Sequence, residues 1–393
     1  MSLFFWWLEI NPANSNPYSH WFKKKALYAI FDHPSPVKKD LAYMLRKNLN
    51  TRCASLVLAC LFLACSADTG RSGQPGNPAG VQKGATGIAV TPQHYPEHTI
   101  ADVAEAFRLA RTLGNHSVFI YQWQHLDLKI TELMLTWSRK AGMTPIIGLS
   151  PTTLDQGRKE LDLPADIRRK AGPLISFANP VIRQGFKQAA VELARLKPPY
   201  LCLATEINFL AMQRLPEYLH FASLYKEAYQ EVKRVSPDTR VFVSFQWEWM
   251  RILDAREPFK IKEHSKVVDI FRPELDVIGL TTYPSPFHKT PGDLVADYYA
   301  WVYRHIRQSD EIVLMEVGWP TRGTGSELEQ VAYIRRLPAL LEQVNVSVVA
   351  WALLHDIELP AFDADLNSVG LITTGGQKKP GYREFEALKN RMR

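Results

Sequence analysis

The sequence is short of the features that mark several common protein classes. It has four cysteines in 393 residues, and three of them, Cys53, Cys60 and Cys65, lie in or beside one apolar run. Only Cys202 belongs to the body of the chain, which excludes an internal disulfide framework there. No Cys/His cluster has zinc-like spacing, so the sequence predicts no metal, and it calls for no cofactor. No Gly-rich phosphate turn follows the first apolar strand, which argues against a nucleotide-binding open sheet. No internal repeat of 20–50 residues is present beyond an alternating strand–helix unit.

Excess charge is also missing from most of the chain. The formal net charge is +7, but residues 1–65 hold eight Lys/Arg against three Asp/Glu. Beyond Cys65 the balance is thirty-nine against thirty-seven. The basic character therefore belongs to the N-terminal segment and predicts no nucleic-acid partner.

That segment reads as an address. Arg46, Lys47 and Arg52 precede the apolar run Ala54–Ala64, which is too short to cross a bilayer of roughly 30 Å as a helix. The run ends in Leu63-Ala64-Cys65, and a polar Gly/Pro-rich stretch follows to about Lys83. This resembles a bacterial lipoprotein signal with Cys65 as the lipidated residue, although Phe62 departs from the usual Leu, Val or Ile. The expected organisation is an upstream extension over 1–43, a signal over 44–65, a tether over 66–83 and a folded domain over 84–393. The resemblance implies export to the bacterial cell envelope and anchoring there by lipid; the protein is expected to be a monomer.

From Thr86 onward, short apolar runs alternate with amphipathic segments. The runs are Gly87–Thr91, Ser117–Gln122, Thr144–Leu149, Leu201–Thr205, Val241–Gln246, Val277–Thr282, Ile312–Met315 and Val346–Trp351. The spacing predicts helices over Thr99–Leu113, Leu128–Ala141, Val181–Leu196, Pro216–Val235, Asp293–Gln308 and Ser326–Gln343. Eight such units over about 300 residues fit an α/β fold, a single-domain (β/α)8 TIM barrel; a doubly wound open sheet is the alternative.

In a barrel the chemistry sits where strands end. Those ends carry His94, Gln122, Glu206, Asn208, Trp247, Glu248, Tyr283, Glu316, Trp319, Trp351 and His355. Aromatics, amides and acids together suit a sugar, because aromatic faces stack on pyranose rings while amides and acids bind hydroxyls. Glu206 and Glu316 close the fourth and seventh runs, which stand nearly opposite in an eight-stranded barrel. Two carboxyls flanking a glycosidic bond provide a proton donor and a nucleophile or base. Glu248 is a rival acid within Gln246-Trp247-Glu248-Trp249, a segment that suits a sugar platform or a buttress.

The segment Ile312–Thr321 (IVLMEVGWPT) resembles the nucleophile strand of endo-β-1,3-glucanases and β-1,4-galactanases, which are clan A retaining glycoside hydrolases. Leu203–Phe209 (LATEINF) is similar to the acid/base strand of arabinogalactan endo-β-1,4-galactanases, and Val277–Pro284 (VIGLTTYP) to their sixth strand. The resemblance implies Glu316 as nucleophile, Glu206 as general acid/base, Tyr283 as a hydrogen-bond donor to the nucleophile and Trp351 as a subsite floor. It implies an oligo- or polysaccharide substrate. Thr205 stands where the clan has an Asn that binds the sugar 2-hydroxyl, with Asn208 as a candidate substitute. A barrel that binds polysaccharide without cutting it is the competing expectation.

Overall fold

The computed structural model describes residues 84–154, 157–256, 266–360 and 362–392. Cys65 and the three N-terminal segments expected before residue 84 lie outside the described residues.

Nine parallel strands form one sheet: β1 (Ala85–Ala89), β2 (His116–Gln122), β3 (Thr144–Ser150), β4 (Tyr200–Cys202), β5 (Arg240–Phe242), β6 (Ser244–Gln246), β7 (Ile278–Thr282), β8 (Ile312–Val317) and β9 (Val346–Trp351). Their order is β5-β4-β3-β2-β1-β9-β8-β7-β6. The two ends of that order, β5 and β6, are consecutive in the chain and separated only by Val243. They are the halves of one barrel strand, and the Val243 carbonyl still accepts from Gly279 N at 3.1 Å. The sheet thus closes as an eight-stranded (β/α)8 barrel in which β8 is the seventh strand. The strands read as continuous apolar runs because both faces are covered, by the barrel interior and by helices.

Helix starts are set by short polar side chains. Thr99 and Asp102 form a reciprocal capping box ahead of Ile100–Leu113. Asp127 caps Leu128–Lys140, Asn179 caps Pro180–Arg195 and Ser326 caps Glu327–Leu340. The helix expected over Asp293–Gln308 does not form; that stretch holds 3-10 turns at Pro291–Asp293 and Ala300–Arg304. The reason is a pair of adjacent tyrosines turned inward. Tyr298 donates to Glu248 Oε1 at 2.9 Å, and the Tyr299 hydroxyl lies 3.0 Å from that of Thr282 and bonds that of Tyr333. Holding both hydroxyls to the barrel wall keeps the chain on a path with mostly three-residue bonds.

Two buried glutamines and charges fasten the loops beyond the strands. Lys379 Nζ bonds Asp356 Oδ1 at 2.7 Å, Thr321 Oγ1 at 2.8 Å and the Ser368 carbonyl at 3.0 Å. Gln330 Nε2 reaches the Trp319 carbonyl at 3.0 Å, and Gln246 accepts from Trp249 N at 2.8 Å. Among the described residues, no helix is long and apolar enough to cross a membrane.

Candidate active site

The site is built at the carboxyl ends of β4, β7 and β8. On β8 the register slips: Leu280 pairs with Leu314, but Thr281 pairs with Glu316, which leaves Met315 as an extra residue. The Met315 methyl points across the barrel interior towards Gly148, where a side-chain carbon would meet it and Ile120. In a regular strand the next residue, Glu316, would then face the helices. The bulge breaks that alternation and turns Glu316 to the mouth.

Glu206 reaches the same place by a different device. It holds a left-handed backbone, φ 52°, an uncommon conformation for a residue with a side chain. Its amide donates to Ser244 Oγ at 3.0 Å, and the Ser244 amide donates to the Ala204 carbonyl at 2.8 Å. Strand β6 therefore pins the turn that follows β4.

The two glutamates share their surroundings. Thr281, the ladder partner of Glu316, donates its hydroxyl to Glu206 Oε1 at 2.8 Å. Arg158 donates Nε to Glu206 Oε2 at 2.7 Å and Nη1 to Ser150 Oγ at 3.0 Å. Tyr283 donates its hydroxyl to Glu316 Oε2 at 3.1 Å. The ring of Tyr283 can lie there because residue 318 is glycine; a side-chain carbon on Gly318 would fall 2.6 Å from the ring. Burial pushes the Glu316 carboxyl up to about 7, and the charge of Glu206 pushes the same way, against the opposing pull of Arg158 and the Tyr283 hydroxyl. The two carboxyls are thus close enough to feel each other.

Arg158 was not legible in the sequence. It sits in the hairpin that follows β3, where Thr153 N bonds the Glu160 carbonyl at 3.0 Å and Asp162 N bonds the Pro151 carbonyl at 2.9 Å. Its own backbone is left-handed, φ 58°, directly after Gly157 at φ 66°. Gln213 Nε2 holds the Gly157 carbonyl and Arg214 Nη1 holds that of Lys159 at 3.0 Å. The adjacent Gly157 was the one local signal that the chain turns here to aim a side chain.

Several expected sugar contacts are corrected by burial. Trp247, Trp319 and Trp351 are each 0% exposed and offer no face for stacking. Trp351 packs between Phe385 and Tyr333 of the helix layer, with Nε1 donating to the Val369 carbonyl at 2.7 Å. Trp319 stacks on Tyr333 as well, and Trp247 packs on Tyr298 and Tyr299. Asn208 is fully buried and grips the Gln246 backbone twice, Nδ2 to the carbonyl at 3.0 Å and Oδ1 from the amide at 2.8 Å. It is a staple between two strand ends and does not stand in for the missing Asn. Thr205 is buried too, and its hydroxyl meets no partner.

The remaining candidates lie on the rim. Gln122 donates to the Thr152 carbonyl at 3.1 Å, and its own side-chain oxygen has no partner. His94 is exposed and pairs with Asp102 at 3.3 Å, while His355 is buried with Nδ1 2.8 Å from the Thr91 carbonyl. Glu248 is a buttress. It accepts from Thr282, Tyr298, the Tyr283 amide and Gln246 Nε2, so its oxygens are fully engaged away from the mouth. Trp249 is buried as well, packed against Phe209 and Phe287.

Among the described residues, no group of three or more His, Cys, Asp or Glu is placed to hold a metal ion. A cavity of about 410 Å³ lined by Asp269, Arg272 and Arg304 lies before β7 and β8, at the opposite end of the barrel from the glutamates.

These features define a (β/α)8 barrel with a carboxyl pair at its catalytic-type mouth. No family model matches the sequence, and a search of curated proteins finds no match. Solved structures do resemble it. A GH5_18 protein from Streptomyces cattleya in complex with Manb1-4GlcNAc is 17% identical with a TM-score of 0.60, over 79% of this chain and 81% of that one. The exo-beta-1,4-mannosidase Op5Man5 from Opitutaceae bacterium strain TAV5 is 16% identical with a TM-score of 0.58, over 78% and 59%. Xylanase 10B from Thermotoga maritima is 13% identical with a TM-score of 0.56, over 79% and 96%. At these identities the likeness is one of fold.

Proposed function

We propose that this barrel is a glycoside hydrolase that cleaves a β-linked oligo- or polysaccharide by a retaining double displacement. Glu316 is the nucleophile and Glu206 the general acid/base. The observation that carries this reading is the pair itself: two carboxyls on nearly opposite strands, turned to one mouth by a bulge and a left-handed residue, with the charge of Glu206 acting on Glu316. Local backbone irregularity that aims a side chain is costly, about 1–3 kcal/mol for a left-handed non-glycine residue, and is kept where it serves chemistry. The glycosidase and xylanase names among the similar folds support the same class.

In the first step Glu206 passes a proton to the leaving oxygen while the Glu316 carboxylate bonds the anomeric carbon. In the second, Glu206 takes a proton from water, which displaces Glu316. Tyr283 orients Glu316 and stabilises its anion through the 3.1 Å hydrogen bond. Release of reducing sugar from β-galactan, β-glucan and β-mannan, with Glu316→Gln and Glu206→Gln as controls, tests the assignment. Full activity in Glu316→Gln would end it.

A second reading is a barrel that binds polysaccharide without cutting it. The specific observation in its favour is the Arg158 ion pair, which occupies Glu206 Oε2 in the resting site. A lipid anchor at Cys65 and export to the cell envelope complete the proposal, tested by metabolic labelling with a palmitate analogue in a bacterial host and loss of label in Cys65→Ser.

A further inference from the structure

Gln122 is the last residue of β2, and its side chain faces the barrel mouth. Successive side chains of a strand point to opposite faces. Ser117 bonds Ser138 of the Leu128–Lys140 helix at 2.7 Å, and Phe119 packs on Phe107 of the Ile100–Leu113 helix, so the odd-numbered residues of β2 face the helix layer. The even-numbered residues face inward. Ile120 lies with the Met315 methyl at the place that a side-chain carbon on Gly148 would fill. Gln122 stands one layer above Ile120, and Glu316 follows Met315. In the sheet β2 and β8 are separated by β1 and β9, so the two side chains come to the mouth from different sides of the barrel. The ladder partner of Gln122 is Ser150, which accepts from Arg158 Nη1 at 3.0 Å.

The amide of Gln122 has its orientation fixed by its neighbour. Nε2 donates to the Thr152 carbonyl at 3.1 Å, and the amide oxygen could not take that place. The oxygen is therefore turned from Thr152. It is buried and meets no donor among the described residues. The adjacent Ser150 hydroxyl gives its own proton to the Thr152 carbonyl at 3.1 Å. A buried acceptor left without a donor is costly, and native proteins keep few of them. A hydroxyl would satisfy it, and every sugar ring carries several.

We propose that Gln122 is a specificity-determining residue whose side-chain oxygen accepts one hydroxyl of the sugar ring held against Glu316. This rests on the hydrolase reading of the same site. Neither a glutamine nor a sugar hydroxyl titrates in the working range, so the contact does not depend on the proton of either glutamate.

The test uses nitrophenyl β-glycosides of cellobiose, mannobiose and galactobiose, with analogues that each lack one hydroxyl of the ring joined to nitrophenol. Gln122→Met removes the acceptor and leaves the Thr152 carbonyl its bond from Ser150. It should lower kcat/KM about tenfold on the complete sugar, and not at all on the one analogue missing the hydroxyl that Gln122 binds. Comparing the two proteins on the same analogue cancels the effect of deoxygenation on the chemistry itself. Gln122→Asn draws the oxygen back by one methylene and should behave in the same way; it decides if Gln122→Met fails to fold. No loss, or a loss of equal size on every sugar, overturns the proposal and leaves the hydrolase reading standing. If no glycoside is cut, calorimetric binding of the same set is compared. Binding weakened by Gln122→Met on all but one analogue then supports the contact and overturns the hydrolase reading. Absence of binding overturns both.

Discussion

Thr281 is the ladder partner of Glu316 on β8, and its hydroxyl donates to Glu206 in the turn after β4. One β7 residue thereby touches both halves of the carboxyl pair. The arrangement lets the charge of Glu206 add to burial in pushing the Glu316 carboxyl up.

That coupling predicts an unusual pH profile. The Glu316 carboxyl is pushed up to about 7, chiefly by burial, and must ionise to attack. The charge of Glu206 is one cause of that rise, so above this value neither acid holds the proton that cleavage needs, and the alkaline limb of kcat/KM should fall near pH 7. Tyr283→Phe removes the hydroxyl that favours the anion, so the limb should move to higher pH and kcat should drop by about tenfold to a hundredfold. A limb that stays in place in Tyr283→Phe would show that the 3.1 Å contact does not act on Glu316.

Charge reversal of stability is a second consequence. Between about pH 4.5 and pH 7 the native state keeps a proton on Glu316 that the unfolded chain has released, so this group's contribution to stability is lost as pH rises. Glu316→Gln cannot ionise and should be more stable than the unaltered protein at pH 8, by on the order of 2 kcal/mol, with the difference gone near pH 4. Glu206→Gln should do the opposite. It leaves Arg158 buried beside an uncharged partner and should cost about 3 kcal/mol at neutral pH. Urea unfolding of both variants at pH 4 and pH 8 checks the signs.

Gly318 is predicted to be intolerant of any side chain. A carbon there would sit 2.6 Å from the Tyr283 ring, which must then move off Glu316. Gly318→Ala should reproduce the pH shift of Tyr283→Phe without touching either acid. Kinetics of the single variants and of the double variant measure this, and full additivity of the two effects would contradict the steric explanation.

Outside the mouth, Lys379 and Asp356 form a buried pair with side chains 2% and 7% exposed. Lys379→Met strands the Asp356 carboxylate and should destabilise the fold by about 3–5 kcal/mol. Glu248→Gln should also lower stability, because a carboxylate accepting four hydrogen bonds is replaced by a group that must donate one of them. Its pH profile should keep the shape of the unaltered protein, which separates a buttress from a catalytic acid.

Much of the barrel was legible because buried parallel strands read as continuous apolar runs. Val346–Trp351 was expected and found over the same residues, and Thr99 and Ser326 mark real helix starts. The stretch 293–308 was misread because its helical spacing is overridden by tyrosines bound to the barrel wall. Glu206 and Glu316 were visible as acids closing apolar strands, but the bulge and the left-handed turn that aim them were not, since neither leaves a compositional mark. The tryptophans were misassigned for a related reason. Alternation tells which residues share a face, yet only the packed helix layer tells that Trp351 faces Phe385. Arg158 was invisible because its role comes from a hairpin folding back 48 residues ahead of its partner.

The most direct measurement of the central claim is mass spectrometry of the protein after reaction with a 2-deoxy-2-fluoro β-glycoside bearing a good leaving group, with a proteolytic digest to place the adduct. The account predicts one sugar covalently attached to the peptide containing Glu316, and none in Glu316→Gln. Turnover of the sugar panel with no adduct on Glu316, or an adduct unaffected by Glu316→Gln, would contradict it.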